Sequence, residues 1–107
     1  MQFKQLKEEV KALGFNEIRV DADSIFEAVI VKKSLAALTP KLDKFFGAPV
    51  WPSQNPLSLQ AKEVIKDQGG IWPGQTLYFW YENNISIFAM LWPWSDGQHI
   101  TLKCGYK

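Results

Sequence analysis

Apolar side chains at helical spacing open the chain. Over residues 2–13 they recur at every third or fourth position, as Phe3, Leu6, Val10 and Leu13. This period predicts an amphipathic helix, which ends at Gly14 because glycine readily adopts the left-handed backbone of a helix stop. Residues 16–20 and 25–32 are rich in β-branched side chains and are separated by the turn residues Asp-Ala-Asp-Ser. They predict a strand hairpin.

A second helical pattern follows the hairpin and ends at Gly47. Its apolar positions are Leu35, Leu38, Leu42, Phe45 and Phe46. Two starting points fit this pattern. With Ser34 as the N-cap, Pro40 would lie deep in the helix and kink it. With Thr39 as the N-cap, Pro40 would occupy the first helical position, where proline is tolerated.

Residues 47–56 form an extended connector that contains several prolines and has Trp51 in its middle. A tryptophan in such a connector is expected to pack onto the domain, since its ring is large and apolar. A third helix follows, which begins at Asn55 or Ser58 and ends at Gly69. Its apolar side carries Leu57, Ala61, Val64 and Ile65.

The last third of the chain predicts three strands, which cover residues around 75–82, 85–92 and 98–104. Nine of the fifteen aromatic residues lie there. Asn83-Asn84 suits a two-residue hairpin turn because asparagine tolerates positive φ, and Asp96-Gly97 suits a second such turn. With both turns, Phe79 pairs with Phe88, Trp80 with Ile87, Leu91 with Leu102 and Trp94 with His99.

Strand parity then assigns each side chain of these strands to one of two faces. The predicted core face holds Tyr78, Trp80, Ile87, Ala89, Leu91, Ile100, Leu102 and Cys104. The other face holds Leu77, Phe79, Tyr81, Phe88, Met90, Trp92 and Trp94, next to His99, Thr101 and Lys103. Either the Trp51 connector or a helix covers this second face, or it is a partly open aromatic shelf. A three-residue loop at 95–97 would instead shift the last strand and place Trp92 opposite Ile100.

These elements predict an α+β fold with the order α-β-β-α-α-β-β-β and a mostly antiparallel sheet with helices packed on one face. Whether the early hairpin joins the later three strands in one sheet stays open. A length of 107 residues, of which 47% are hydrophobic, fits a single domain over residues 1–107.

Charge and cysteine content narrow the class of partner. The net charge of +1 supplies no field that would attract nucleic acid or an anionic membrane, so both are disfavoured as partners. No apolar run approaches the roughly 20 residues of a membrane helix. The single cysteine and the polar amino-terminal segment lead us to expect a cytoplasmic protein.

No catalytic, metal or nucleotide motif stands out in the sequence, so no cofactor is predicted and enzymatic activity is left open. His99 is the only histidine, and Asp96 is close enough to orient its ring. Cys104 lies five positions from His99, so in a regular strand the two point to opposite faces and do not form a thiolate pair. We expect Cys104 to be buried packing.

The aromatic shelf therefore carries the functional hypothesis. The leading expectation is a non-enzymatic binding or accessory domain that self-associates, as a homodimer, or binds a protein partner through the shelf. The predicted binding residues are Tyr81, Phe88, Trp92, Trp94, His99 and Lys103. The alternative is a small-molecule-binding protein or small enzyme with Asp96, His99 and Lys103 at the rim of the shelf.

Overall fold

Three helices and one five-stranded antiparallel sheet make up residues 2–107, the part of the chain that the computed structural model describes. In chain order the elements are α1 Gln2–Lys11, β1 Glu17–Asp21, β2 Ile25–Val31, α2 Leu35–Phe46, α3 Leu59–Asp67, β3 Thr76–Glu82, β4 Ile85–Pro93 and β5 His99–Tyr106. A 3-10 turn, Lys32–Ser34, leads into α2. The predicted order of elements and the α+β class are confirmed.

The sheet has the strand order β1-β2-β5-β4-β3, and every neighbouring pair is antiparallel. The early hairpin therefore joins the later three strands in one sheet, through the pairing of β2 with β5. The predicted register is confirmed, since Phe79 lies opposite Phe88 and Leu91 opposite Leu102.

The two hairpin turns of the last third differ in length. Asn83 and Asn84 have φ angles of 53° and 63° and form the predicted two-residue turn. The Trp94 amide donates to the His99 carbonyl at 2.8 Å, so the second loop has four residues, 95–98, and the predicted two-residue turn at Asp96-Gly97 is wrong. The Asp96 side chain closes this loop by accepting the amides of Gln98 and His99. The register is unchanged, and the three-residue alternative is wrong.

One face of the sheet, face A, packs against α1 and α2 and holds the larger core. The buried strand residues of this face include Phe26, Tyr78, Ala89, Leu102 and Cys104. All eight residues assigned to the core face lie here, because their parity along the strands is as predicted. Phe3, Leu6 and Val10 of α1 and Leu38 and Leu42 of α2 complete this core.

The helix starts decide between the predicted alternatives. α2 begins after Ser34, so Pro40 lies inside the helix. Pro40 removes the backbone hydrogen bond to the Ala36 carbonyl, but both residues are exposed, and water takes the place of the lost donor. α3 begins after Ser58, whose hydroxyl accepts the Ala61 amide at 3.1 Å.

The opposite face, face B, is covered over β3 and β4 by α3 and by the connector. Val64 and Ile65 of α3 share a buried cluster with Leu77, Phe88 and Met90. The connector adds to the outer edge of β3, where Trp51 and Leu77 exchange backbone hydrogen bonds at 2.9 and 3.3 Å. Helices therefore lie on both faces of the sheet, not on one, because β3 and β4 are apolar on both sides.

Candidate functional site

Face B is open over its other half. The cluster beneath α3 contains no described residue of β1 or β5. We call this uncovered region the open half of face B; it consists of Val20, Glu27, Val29, Thr101 and Lys103, with Trp92 and Trp94 at its border. Val29 and Thr101 are nonetheless buried, at 2% and 4% exposed. Neighbouring side chains, Trp94 among them, supply their cover.

Trp94 is the exposed aromatic residue of this region and is held in one orientation. Its indole Nε1 donates a 2.8 Å hydrogen bond to Thr101 Oγ1. The His99 ring centroid lies 4.9 Å from that of Trp94, and the Arg19 guanidinium lies 5.5 Å from the indole centroid. The side chain still leaves 37% of its surface exposed. A rigid, partly exposed ring of this kind loses little conformational entropy when a partner covers it.

Trp92 is half-buried beside Trp94 and is held by packing. Its ring contacts the cluster beneath α3, and the Lys103 ammonium lies 5.6 Å from the ring centroid, within range of a cation–π contact. The Trp92 Nε1 is buried and has no hydrogen-bond partner among the described residues. Trp92 therefore borders the open half as a half-buried side chain, whereas Trp94 is the exposed ring that a partner can contact.

The charges of the open half balance one another. Arg19 lies 2.9 Å from Glu17 and 4.0 Å from Glu27, and Lys103 lies 3.9 Å from Glu27. Two cations thus face two carboxylates. The exposed pair of Arg19 and Glu17 contributes about 0–1 kcal/mol. Lys103 and Glu27 keep only 21% and 20% of their side chains exposed, and together the four charges keep the region near neutral.

Asp96 and His99 form a hydrogen-bonded pair at the hairpin tip. His99 Nδ1 lies 2.6 Å from Asp96 Oδ2. The Gln98 amide first, and then the His99 ring, lower the pKa of Asp96 below its usual range. With Nδ1 engaged, Nε2 is the ring nitrogen that remains for a ligand. A nucleophile is not part of this arrangement, since Cys104 lies buried on face A and burial raises its pKa to about 12.

The structure brings together four of the six predicted binding residues, namely Trp92, Trp94, His99 and Lys103. Phe88 is removed from the set, because it is 3% exposed and lies beneath α3. Tyr81 is exposed, but it lies at the opposite end of the hairpin, where its hydroxyl donates to Asn84. The predicted shelf is therefore not one continuous surface. α3 covers Phe88, and the length of β4 separates Tyr81 from Trp92 and Trp94.

Sequence reasoning missed Arg19, whose guanidinium lies over the Trp94 ring, and Val20, which lies opposite Glu27. A β-bulge between Ile18 and Val20 moves Val20 to face B, and simple alternation places it on the opposite face. No local signal specifies that β1 and β2 lie next to β5. The pairing of β2 with β5 joins residues 68 to 80 positions apart, such as Ile30 and Ile100.

A cavity of about 230 Å³ lies between the hairpin tip and the start of α2. Its lining residues are Lys32, Leu35, Pro93, Trp94, Gly97, His99 and Ile100. The Lys32 amide donates to the Gln98 carbonyl at 2.7 Å and so ties the two walls together. Lys103 does not line this cavity. Lys103 is therefore apart from Asp96 and His99, the two residues with which the alternative hypothesis groups it.

Comparisons of the chain with protein-family models, curated proteins and solved structures gave no match. Within residues 2–107, no three His, Cys, Asp or Glu side chains come together as metal ligands would. Of the helices described, none combines the length and the apolar character that a membrane crossing requires.

Proposed function

We propose that the chain is a non-enzymatic, cytoplasmic binding domain that contacts another protein through the open half of face B, with Trp94 as the central contact. A second copy of the chain is the partner that this surface fits best. One observation carries the proposal: Trp94 is 37% exposed and is also held by a hydrogen bond and two ring contacts. Rigid tryptophans of this kind dominate the binding energy of protein interfaces.

Charge balance supports self-association. In a two-fold dimer the same surface meets itself, so a patch of one sign would repel its copy. Arg19 and Lys103 are offset by Glu17 and Glu27 within each chain, and this repulsion is absent. The free, buried Cys104 is in keeping with a reducing compartment.

The size of the surface sets the strength of the association. Three strands about 4.8 Å apart and about seven residues long cover roughly 300 Å². This area is well below the about 800 Å² that each partner contributes to a standard interface. We therefore expect a weak, reversible dimer.

The contribution of Trp94 follows from its exposure. A tryptophan buries up to about 250 Å², so the exposed 37% corresponds to about 90 Å². At about 25 cal/mol per Å², the burial of one Trp94 contributes roughly 2 kcal/mol. A two-fold dimer buries two copies, so the loss of both changes the dimerisation constant by at least about 30-fold.

Sedimentation velocity over a concentration series tests the proposal. We expect the wild-type protein to show a concentration-dependent increase in mean mass, and Trp94→Ala to weaken this increase at least about 30-fold. Trp72→Ala is the matched control, because Trp72 is 64% exposed but lies in the turn after α3. A wild-type protein that stays monomeric up to about 1 mM, or equal losses in both variants, would overturn the proposal.

A further inference from the structure

The cavity between the hairpin tip and α2 has walls of two chemical kinds. Leu35, Pro93 and Ile100 give it apolar sides, and Trp94 and His99 also line it. Lys32 is the charged side chain at its rim. A cavity with mostly apolar walls and a few polar groups is the usual form of a small-molecule site.

The charges around this cavity favour an anion. Among residues 2–107, neither Lys32 nor its neighbour Lys33 has an acidic group within 4.0 Å. No carboxylate lines the cavity. Asp96, the nearest acid in sequence, is already engaged by the Gln98 and His99 amides and by the His99 ring. A bound anion would therefore meet an unpaired ammonium without a competing negative charge.

The volume limits the ligand to a small molecule. At about 30 Å³ for each water-sized group, the cavity of about 230 Å³ holds roughly eight non-hydrogen atoms. An apolar body fits best, because Leu35, Pro93 and Ile100 supply apolar walls. A shallower groove lined by Val31, Lys32, Lys33, Gly97 and Gln98 continues outward from the cavity and gives access to it.

We infer that this cavity is a binding site for a small aromatic carboxylate, with the ring between Leu35, Pro93 and Ile100 and the carboxylate at Lys32. His99 Nε2 is the second polar group available to the ligand. The site is separate from the dimer contact, although Trp94 borders both. It uses Lys32 and Leu35, which lie at the start of α2 and take no part in the open half of face B.

Benzoate is a suitable probe because it has nine non-hydrogen atoms and a single negative charge, and benzamide is its neutral counterpart. We expect benzoate to bind with a Kd on the order of 1 mM, since so small a ligand makes few contacts. Benzamide should bind about fivefold more weakly, because it lacks the charge that forms one partly exposed ion pair with Lys32. Acetate should bind at least about tenfold more weakly, because it lacks the ring that fills the apolar part.

Amide and indole NMR shifts in a titration of the full chain report the site directly. Benzoate should shift the amides of residues 97–100 and the Trp94 indole, and leave the Trp72 indole unchanged. Lys32→Gln should weaken benzoate binding about fivefold. Lys33→Gln removes the same charge from a residue that does not line the cavity and should have a smaller effect.

Three outcomes would overturn the inference. The first is that the cavity amides do not shift at about 20 mM benzoate, a concentration well above the expected Kd. The second is that benzamide and benzoate bind equally well. The third is that the two lysine variants lose the same amount of benzoate affinity. The titration is read on protein dilute enough to be monomeric. Its failure is therefore distinct from the failure of self-association, which sedimentation measures without ligand.

Discussion

The hydrogen bond from Trp94 to Thr101 offers a direct test of how the exposed indole is held. Thr101→Val keeps nearly the same side-chain shape and removes the hydroxyl that accepts the indole N–H at 2.8 Å. Thr101 is 4% exposed and lies on β5, the middle strand of the sheet. The substitution therefore changes one interaction within a fixed backbone.

The expected cost in the free energy of unfolding is about 1 kcal/mol. A typical hydrogen bond contributes about 0.5–1.5 kcal/mol net. The larger penalty applies to a fully buried, unpaired donor, and Trp94 is 37% exposed. Valine favours strands slightly more than threonine does, which offsets a few tenths of a kcal/mol.

Urea unfolding measures this cost. We expect the midpoint to fall with an unchanged m-value, and the melting temperature to fall by about 4 °C. Thr101→Ser is the control, since it keeps the hydroxyl. In the same samples, the Trp94 indole resonance should move toward the position of a solvated indole.

A double-mutant cycle gives the result that would refute the reasoning. Trp94→Phe removes the indole N–H, so adding Thr101→Val to that variant should cost almost nothing. If Thr101→Val costs the same in both backgrounds, its effect comes from packing of the threonine. The description of Trp94 as held by this bond would then be wrong.

Three further predictions concern the core and the turn between β3 and β4. Cys104, whose pKa burial raises to about 12, should resist alkylation at pH 8 in the folded protein and react once urea unfolds it. Burial and the hydrogen bond to Asp43 raise the pKa of Tyr78 from 10.0 to about 12. Its contribution to stability is therefore complete below pH 10 and is lost as the pH rises from 10 to 12. Asn83, with φ 53°, should tolerate glycine, whereas Asn83→Val should lower the free energy of unfolding by about 1–2 kcal/mol.

A specific result would contradict each of these three predictions. Alkylation of Cys104 in the folded state at the unfolded rate would contradict its burial. For Tyr78, urea midpoints of the wild type and Tyr78→Phe at several pH values should converge above pH 10, and parallel curves would rule out the pKa assignment. Equal stability of the glycine and valine variants at Asn83 would contradict the left-handed turn.

Short-range pattern was enough to predict the last third of the fold. The alternation of Tyr78, Trp80 and Ile87 with Phe79 and Phe88 assigns faces that the structure confirms. Register followed from the turn residues, even though the second loop has four residues, because Asp96 closes it without adding a residue to either strand.

The sequence did not predict which elements pack together when they lie far apart along the chain. The apolar sides of α3 and of α1 look alike in period, and nothing local specifies that Val64 packs on the face opposite Leu6. For the same reason, the cover over Phe88 and the approach of Arg19 to Trp94 were not predicted. Both depend on which elements meet in three dimensions, and a single sequence does not record this.

The central position of β5 has a consequence for synthesis on the ribosome. β5 follows every other strand in the chain, yet it joins the two hairpins, β1–β2 on one side and β3–β4 on the other. Isolated two-stranded hairpins are marginal in water. While residues 99–106 are still inside the exit tunnel, the nascent chain holds two unjoined halves with exposed edges, and a cooperative sheet forms only after that final strand emerges.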